Sequence, residues 1–323
     1  MRRLRNSTRR PESKSGTVVN NIGRTTIDDS VIEWLDSALD GGVKAGSIES
    51  AVGATSSSVY FVEIERAGVA ERYVLRLHTN RAWLADEPDL AEHEAAVLVQ
   101  ARRAGLPAPE LVAWHAGDSD SPPAILMTRL PGSVEILPRD FALWTAELAR
   151  KLAHVHASSL PDFTWRYRSW THRDTLTPPL WSLQRSLWER AIDRVASDPP
   201  GEPPVFLHRD YHPMNVLWQE GRLTGIVDWV NGCIGPAGVD LSHCRLNLLF
   251  MYGVEAAEMF LAAYENCVPG YRHDPYWDID ALLGSLPDPE YYTPWREFGL
   301  PSIEQRKLRA RSEEYLRLLD GRY

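Results

Sequence analysis

Apolar and polar positions along the chain fall into two textures: short runs broken by glycine in the first third, and helical stripes thereafter. Thr26-Ile27-Asp28-Asp29 resembles a helix capping box, and Val31, Trp34, Leu35, Ala38 and Leu39 follow at helical spacing before Gly41-Gly42. Between residues 43 and 78 the runs shorten to a segment ending Ser50-Ala51-Val52, then Val59-Tyr60-Phe61-Val62, then Tyr73-Val74-Leu75-Arg76-Leu77. These predict successive antiparallel strands. Helical periodicity returns over 89–105 through Leu90, Ala91, Glu94, Ala95, Val97 and Leu98, with Gly105 as the C-terminal cap. A strand pair is expected at 110–115 and 124–127.

Residues 128–132, Thr-Arg-Leu-Pro-Gly, read as the junction to a second, helix-rich part. There the pattern predicts amphipathic helices over 140–156 and 180–195, a proline-rich loop over 198–204 and a charged surface helix over 302–319. The expected class is α+β with two lobes. Residues 25–127 form a small antiparallel-sheet lobe and residues 128–323 a larger, mainly helical one. Residues 1–24, Arg-rich and polar, are read as a flexible basic extension, because no apolar stretch follows the Arg9-Arg10 pair as a secretory signal requires.

Charge and composition narrow the function. The 323 residues are 44 % apolar, enough to bury cores without disulfide or metal staples. A formal charge of −9 argues against a nucleic-acid partner and favours a small cationic ligand. No run approaches the roughly 20 apolar residues of a membrane span, so no membrane partner is expected. Three cysteines without paired spacing suggest a reducing, cytoplasmic setting and packed thiols. Nothing in the sequence calls for an obligate protein partner.

The chemistry concentrates between residues 205 and 229. An apolar strand delivers His208-Arg209-Asp210, Asn215 stands five residues after the aspartate, and a hairpin leads to a second apolar strand ending in Asp228. This is the layout of a kinase catalytic loop followed by a metal-binding aspartate. Phosphoryl transfer needs a carboxylate to orient the attacking hydroxyl, which suits Asp210, and oxygen ligands for magnesium, which suits Asn215 and Asp228. A second His-Arg-Asp at residues 172–174 has Pro179 where the asparagine belongs and no flanking strands, so the tripeptide alone carries nothing. Upstream, Gly53-Ala54-Thr55-Ser56-Ser57-Ser58 lies between two strands and offers a small-residue loop for a triphosphate, although a loose hairpin turn explains it equally well. Arg76 occupies the strand position of a phosphate-pairing lysine, and Glu94 on the next helix is its candidate partner. An isolated Arg–Glu pair of this kind is ordinarily a surface salt bridge. The order relative to Asp210 favours a phosphate-binding Arg76 over an ordinary surface residue, and replacing it is expected to cost nucleotide affinity and little stability.

With these motifs the chain resembles the aminoglycoside phosphotransferase family over about residues 43–264. This is the small-molecule branch of the protein-kinase-like fold, which also includes choline, homoserine and methylthioribose kinases. The resemblance implies Asp210 as catalytic base, Asn215 and Asp228 as magnesium ligands and His208 as a structural residue of the loop. Arg76 with Glu94 would hold the α- and β-phosphates, Gly53, Ser56 and Ser57 would cover the triphosphate, and the backbone from Met127 through Arg129 to Leu130 would meet the base. The implied cofactors are magnesium and ATP, with GTP left open. Two departures stand out: arginine replaces the phosphate-pairing lysine, and the small-residue loop holds one glycine.

The implied reaction is phosphate transfer to a hydroxyl of a small polar molecule. The short path from Asp228 to Asp240 leaves no room for the activation segment that forms a peptide platform in protein kinases. Acidic residues between 240 and 297 outnumber basic ones, which favours a cationic acceptor such as an aminoglycoside-like antibiotic; a solvated acidic face explains the same excess. A metabolic kinase for an amino alcohol, sugar or nucleoside is the alternative within this chemistry, and a nucleotide-binding pseudokinase is the alternative outside it. Cys233, His212 and His243 are read as structural residues, since magnesium prefers oxygen.

Overall fold

Strict alternation along two nine-residue strands builds the first lobe. The computed structural model describes residues 27–43, 48–51, 57–158 and 163–322. Strands β1 (Ile48–Ser50), β2 (Ser58–Arg66), β3 (Val69–Leu77), β4 (Leu111–His115) and β5 (Ala124–Thr128) form one antiparallel sheet in the order β1-β2-β3-β5-β4. Tyr60, Val62, Ile64, Leu75, Leu77 and Leu126 point to one face and pack against Val31 and Leu35 of helix α1 (Asp29–Ala38). The period of two then sends Val59, Phe61, Val74 and Arg76 to the opposite face, where they line a cleft. The basic extension, Thr26 of the expected capping box, Val52 at the end of the first expected strand, and the loop residues Gly53 to Ser56 lie outside the described residues. At the described end of α1, Asp28 occupies the N-cap without a side-chain cap bond.

Helix α2 (Arg81–Asp86) has no counterpart in the sequence reading. Its N-cap Asn80 accepts from the N–H groups of Ala82 and Trp83. Helix α3 (Leu90–Arg103) follows as expected, with Gly105 just beyond it at φ +72°. The chain leaves β5 through a clamped linker. Ser133 exchanges both backbone hydrogen bonds with Trp218, and a Cβ on Gly132 would lie 2.8 Å from the Trp218 carbonyl oxygen.

The second lobe holds α4 (Phe141–His156), α5 (Arg185–Ala196), α6 (Ala237–Tyr252), α7 (Val254–Cys267), α8 (Pro275–Leu283) and α9 (Gln305–Asp320). Strand β6 (Pro204–Leu207) pairs with β9 (Cys233–Pro236), and β7 (Val216–Gln219) with β8 (Arg222–Ile226). One expectation is corrected here. Helix α5 begins at Arg185 and not at residue 180: Leu180 and Leu183 are fully exposed, and the Ser182 hydroxyl accepts from the Gln184 N–H, which competes with helical bonding. The connection after Asp228 contains the strand β9, whose partner β6 is distant in sequence. No described helix is long and apolar enough to cross a membrane.

Candidate active site

The residues expected to carry the chemistry, His208 to Asn215, gather where β6, the β7–β8 hairpin and α6 meet. Asp240, fully buried on α6, holds the loop by its backbone: its carboxylate accepts from the N–H of His208 at 2.8 Å and of Arg209 at 2.7 Å, and His156 lies 3.2 Å away. Burial works against this charge, but His156, His208 and the two N–H donors outweigh it and keep the pKa below the usual carboxylate value. Arg209 sits at φ +77°, a left-handed conformation unusual for a residue with a Cβ. Its guanidinium stacks 3.7 Å above the Trp170 ring and donates to the Arg168 carbonyl.

His208 ties the two functional segments together. Its Nδ1 accepts from the Asp210 N–H at 3.3 Å, and its Nε2–H therefore donates to the Val227 carbonyl at 2.9 Å. Val227 N–H donates in turn to the Asn215 carbonyl. Burial lowers the pKa of this imidazole and keeps it neutral. The sequence-based role of His208 as a structural residue matches these contacts.

Asp210 is held from two sides. His243 Nε2 lies 2.8 Å from Oδ1, and the Asn215 amide donates to Oδ2 at 3.1 Å and to the Asp210 carbonyl at 2.9 Å. Despite burial, His212 and His243 keep its pKa well below the ordinary carboxylate value. Asp210, His212 and His243 place three potential metal-ligand atoms within 4.8 Å of one another. Yet His212 Nδ1 accepts from Met214 N–H at 3.3 Å, which leaves Nε2 as an N–H directed at Asp210 and not as a lone pair. Burial lowers the pKa of His212 to about 4, so that donor is neutral.

Across the cleft, Arg76 links the lobes. Its guanidinium lies 3.1 Å from Glu94, 2.9 Å from Asp228, and donates to the Ser57 hydroxyl at 2.9 Å. His78 stands 3.3 Å from the other oxygen of Glu94. The pair is buried, with Arg76 at 7 % and Glu94 at 1 % exposure, so it is not an ordinary surface salt bridge, and its burial argues against the expectation that replacing Arg76 costs little stability. Burial opposes both charges; Asp228 and Glu94 nevertheless raise the pKa of Arg76, and Arg76 with His78 lowers that of Glu94.

Asp228, at φ +65°, presents 36 % of its side-chain surface to the cleft. Loss of hydration against the protein behind it raises its pKa, Arg76 lowers it, and Asp210 with Glu94 raises it again. Carboxylates thus exceed fixed cations here, the electrostatic setting that a divalent cation relieves. Asp228 has one oxygen beyond its Arg76 contact, and Asn215, whose amide nitrogen is engaged by Asp210, has its Oδ1. This donor set fits a hard, oxygen-preferring cation such as magnesium.

Two cavities flank these groups. One of about 380 Å³ lies between the lobes and is bounded by Phe61, Val74, Arg76, Leu217, Asn215 and Asp228. Ser57, Met127, Thr128, Arg129 and Leu130 also line it. The N–H groups of Thr128 and Arg129 already donate to the Glu110 and Arg72 carbonyls, and the Arg129 guanidinium covers Phe61 at 3.8 Å. A second cavity of about 310 Å³ lies beside His243, with Tyr167, Trp170, Trp277, Arg209 and Asp280 in its wall.

Of the sequence-predicted site residues, Asp210, Asn215, Asp228, Arg76, Glu94 and Ser57 come together, and Met127 and Arg129 line the same cleft; Gly53 and Ser56 lie outside the described residues. The second His-Arg-Asp is a 3₁₀ turn whose Asp174 is exposed and whose Arg173 pairs with Asp280. Cys233 is a packed thiol that burial pushes up to about 12. Sequence reasoning missed Asp240 and the contact of His243 with Asp210. Their i, i+3 spacing on one helix was the available signal. Many acids of the 240–297 segment are engaged within the lobe: Asp278 and Glu258 with Arg245, Asp280 with Arg173, and Asp288 with Arg309.

Homoserine kinase of Xanthobacter autotrophicus is 28 % identical over 222 residues, 61 % of this chain and 65 % of that protein, so the matched region spans just under two thirds of the relative. Aminoglycoside phosphotransferase APH(4)-Ia, in a ternary complex with ADP and hygromycin B, superposes with a TM-score of 0.57 at 18 % identity, covering 88 % of this chain and 98 % of its own. Amicoumacin kinase hAmiN, in complex with AMP-PNP and calcium, gives a TM-score of 0.57 at 13 % identity, covering 91 % and 94 %. These likenesses establish the two-lobed, protein-kinase-like fold. The sequence profile of the phosphotransferase enzyme family matches residues 47–276, which contain Arg76, Glu94, Asp210, Asn215 and Asp228, and the chain belongs to that family.

Proposed function

We propose that this protein is an ATP- and magnesium-dependent O-phosphotransferase for a small hydroxyl compound. The observation that carries the reading is Asp210, fixed by His243 and Asn215 beside the cleft that Arg76, Asn215 and Asp228 line. In this reading residues 25–127 supply the larger part of the nucleotide site and residues 128–323 the catalytic and acceptor groups. Arg76 and Ser57 meet the phosphates, and Asn215 and Asp228 hold the magnesium. The metal, when bound, neutralises charge on the phosphate oxygens. Asp210 remains ionised at neutral pH, orients the acceptor hydroxyl and takes its proton as the phosphoryl group arrives. A weak base suffices because the transition state is loose.

The acceptor is assigned to the cavity beside His243. Its 310 Å³ lies at the small end of ligand pockets, and its wall carries both Arg209 and Asp280. With the nearby acids already paired, a compact hydroxy amino acid fits better than a large polycation, and homoserine, the substrate named for the relatives, is the first to test. An aminoglycoside acceptor is the second reading, favoured by the likeness to the hygromycin-bound structure. A nucleoside triphosphate donor makes the cytoplasm the place of work. The test is a phosphate-transfer screen with mass-spectrometric detection over homoserine, other hydroxy amino acids, amino alcohols, sugars and aminoglycosides. Magnesium-dependent transfer to a compact acceptor is expected. Binding of the nucleotide with no transfer to any class would contradict the enzymatic reading and leave a nucleotide-binding module.

A further inference from the structure

The cleft between the lobes has a wall that the family match does not include. That match ends at residue 276, yet Tyr292, Pro294 and Phe298 line the cleft opposite Val59, Phe61 and Val74. Pro294 and Phe298 belong to a 3₁₀ segment, Thr293–Phe298, that Tyr292 caps at its start and that closes at Gly299 in the left-handed conformation at φ +92°.

The segment is anchored from behind. Trp295 is 1 % exposed and shares a core with Ile136, Leu300 and Leu308, the Tyr291 hydroxyl donates to the Leu300 carbonyl, and Tyr291 and Tyr292 meet the Trp295 ring edge-on. A Cβ at Gly299 would stand 3.1 Å from Leu137, which brings the segment up against the linker from the first lobe. Fixed in this way, Tyr292 and Phe298 are 36 % and 37 % exposed, two large aromatic side chains that line a cleft also bounded by Val59, Phe61, Val74 and Leu217. Exposed aromatic surface at a cavity mouth costs free energy unless a ligand covers it, and a flat aromatic heterocycle covers it best.

We propose that residues 292–298 form a nucleotide-binding element, in which Tyr292 and Phe298 supply the aromatic outer wall for the base and its ribose. This rests on the reading of the cleft as the nucleotide site and adds to it a contribution from the C-terminal region. Arg76 meets the phosphates; the aromatic pair meets the base and ribose of the same molecule. The role is therefore separable by ligand: a base-bearing nucleotide feels the pair, and a bare polyphosphate does not.

The experiment compares the wild-type chain with Tyr292→Ala/Phe298→Ala and Tyr292→Leu/Phe298→Leu, all retaining Trp295. Magnesium-ATP affinity is measured by calorimetry and magnesium-tripolyphosphate affinity by competition. The leucine pair keeps apolar volume and removes only the rings, so it remains informative where the alanine pair does not fold. Loss of ring stacking is expected to raise the ATP Kd about ten-fold or more, with tripolyphosphate affinity unchanged. Equal ATP affinity in wild type and the leucine pair overturns the inference while leaving the cleft assignment standing. Parallel loss of both ligands also overturns it, since that marks general distortion. Failure of the wild type to bind ATP refutes the cleft assignment and the inference together.

Discussion

Arg76 is the residue through which the two lobes meet, its guanidinium held between Glu94 and Asp228. Its removal leaves Glu94 and Asp228 without their shared cation, Glu94 almost wholly buried. Arg76→Ala is therefore expected to lose about 3–5 kcal/mol of stability in urea titrations, as breaking a buried ion pair does, as well as raising the nucleotide KM. Arg76→Lys retains the charge but cannot bridge two carboxylates with a planar fork, and should fall between the two. Asp240→Asn tests a different device. The amide keeps one acceptor oxygen for two backbone donors that now share a carboxylate, so turnover should fall while nucleotide affinity stays near wild type. Titrating nucleotide and measuring transfer on the same sample checks both halves of that expectation.

Among elements, the α6–α8 contact shapes the cavity beside His243, to which the acceptor is assigned. Gly238 on α6 lies under the Trp277 ring of α8, where a Cβ would come within 2.1 Å of Cδ1. Glu202 fixes the pair by accepting from the Trp277 indole at 2.6 Å and from the Gly238 N–H at 3.2 Å. Gly238→Ala is expected to cost about 1–3 kcal/mol through overpacking and, because Trp277 walls the cavity, to raise the acceptor KM more than the ATP KM. Denaturation midpoints and two-substrate kinetics measure these effects separately.

What could be read from the sequence also sorts at the level of elements. Asp210, Asn215 and Asp228 were legible because one strand-loop-hairpin unit carries all three, and β3 with α3 because alternation and helical spacing are local signals. Strand β9 and the clamp at Asp240 were not, since each depends on a partner far along the chain. The acidic count over 240–297 records charges without their partners, for Asp280, Asp278 and Asp288 pair with Arg173, Arg245 and Arg309 on other elements. Leu180 and Leu183 show the reverse failure, an apolar stripe that side-chain competition at Ser182 keeps out of the helix.

For the molecule as a whole, pH should act through buried imidazoles. Burial lowers the pKa of His93, His208 and His212, the last to about 4, below the ordinary value near 6.5. The unfolded chain then binds more protons than the folded one between those values, so stability is complete above about pH 6.5 and declines as pH falls from there. Glu94, Asp240 and Asp278, with lowered pKa values, add a further loss below about pH 4. Asp228 and Asp280, both raised, act in the opposite sense within the carboxylate range. Urea midpoints at pH 7.5 and 5.5 should differ, with the lower value at 5.5; equal midpoints would show that the three imidazoles titrate normally in the folded state.

Across the whole molecule the proposed reaction divides the labour: the cleft between the lobes binds nucleotide, and Asp210 meets only the acceptor. Asp210→Asn keeps the shape of the side chain, and the measurement is magnesium-ATP affinity by calorimetry beside phosphate transfer to the acceptor found by the screen. The predicted result is a nucleotide Kd close to that of the wild type with turnover lower by about 10²–10⁴, the worth of a positioned general base. A folded Asp210→Asn variant that transfers phosphate at the wild-type rate would contradict the account.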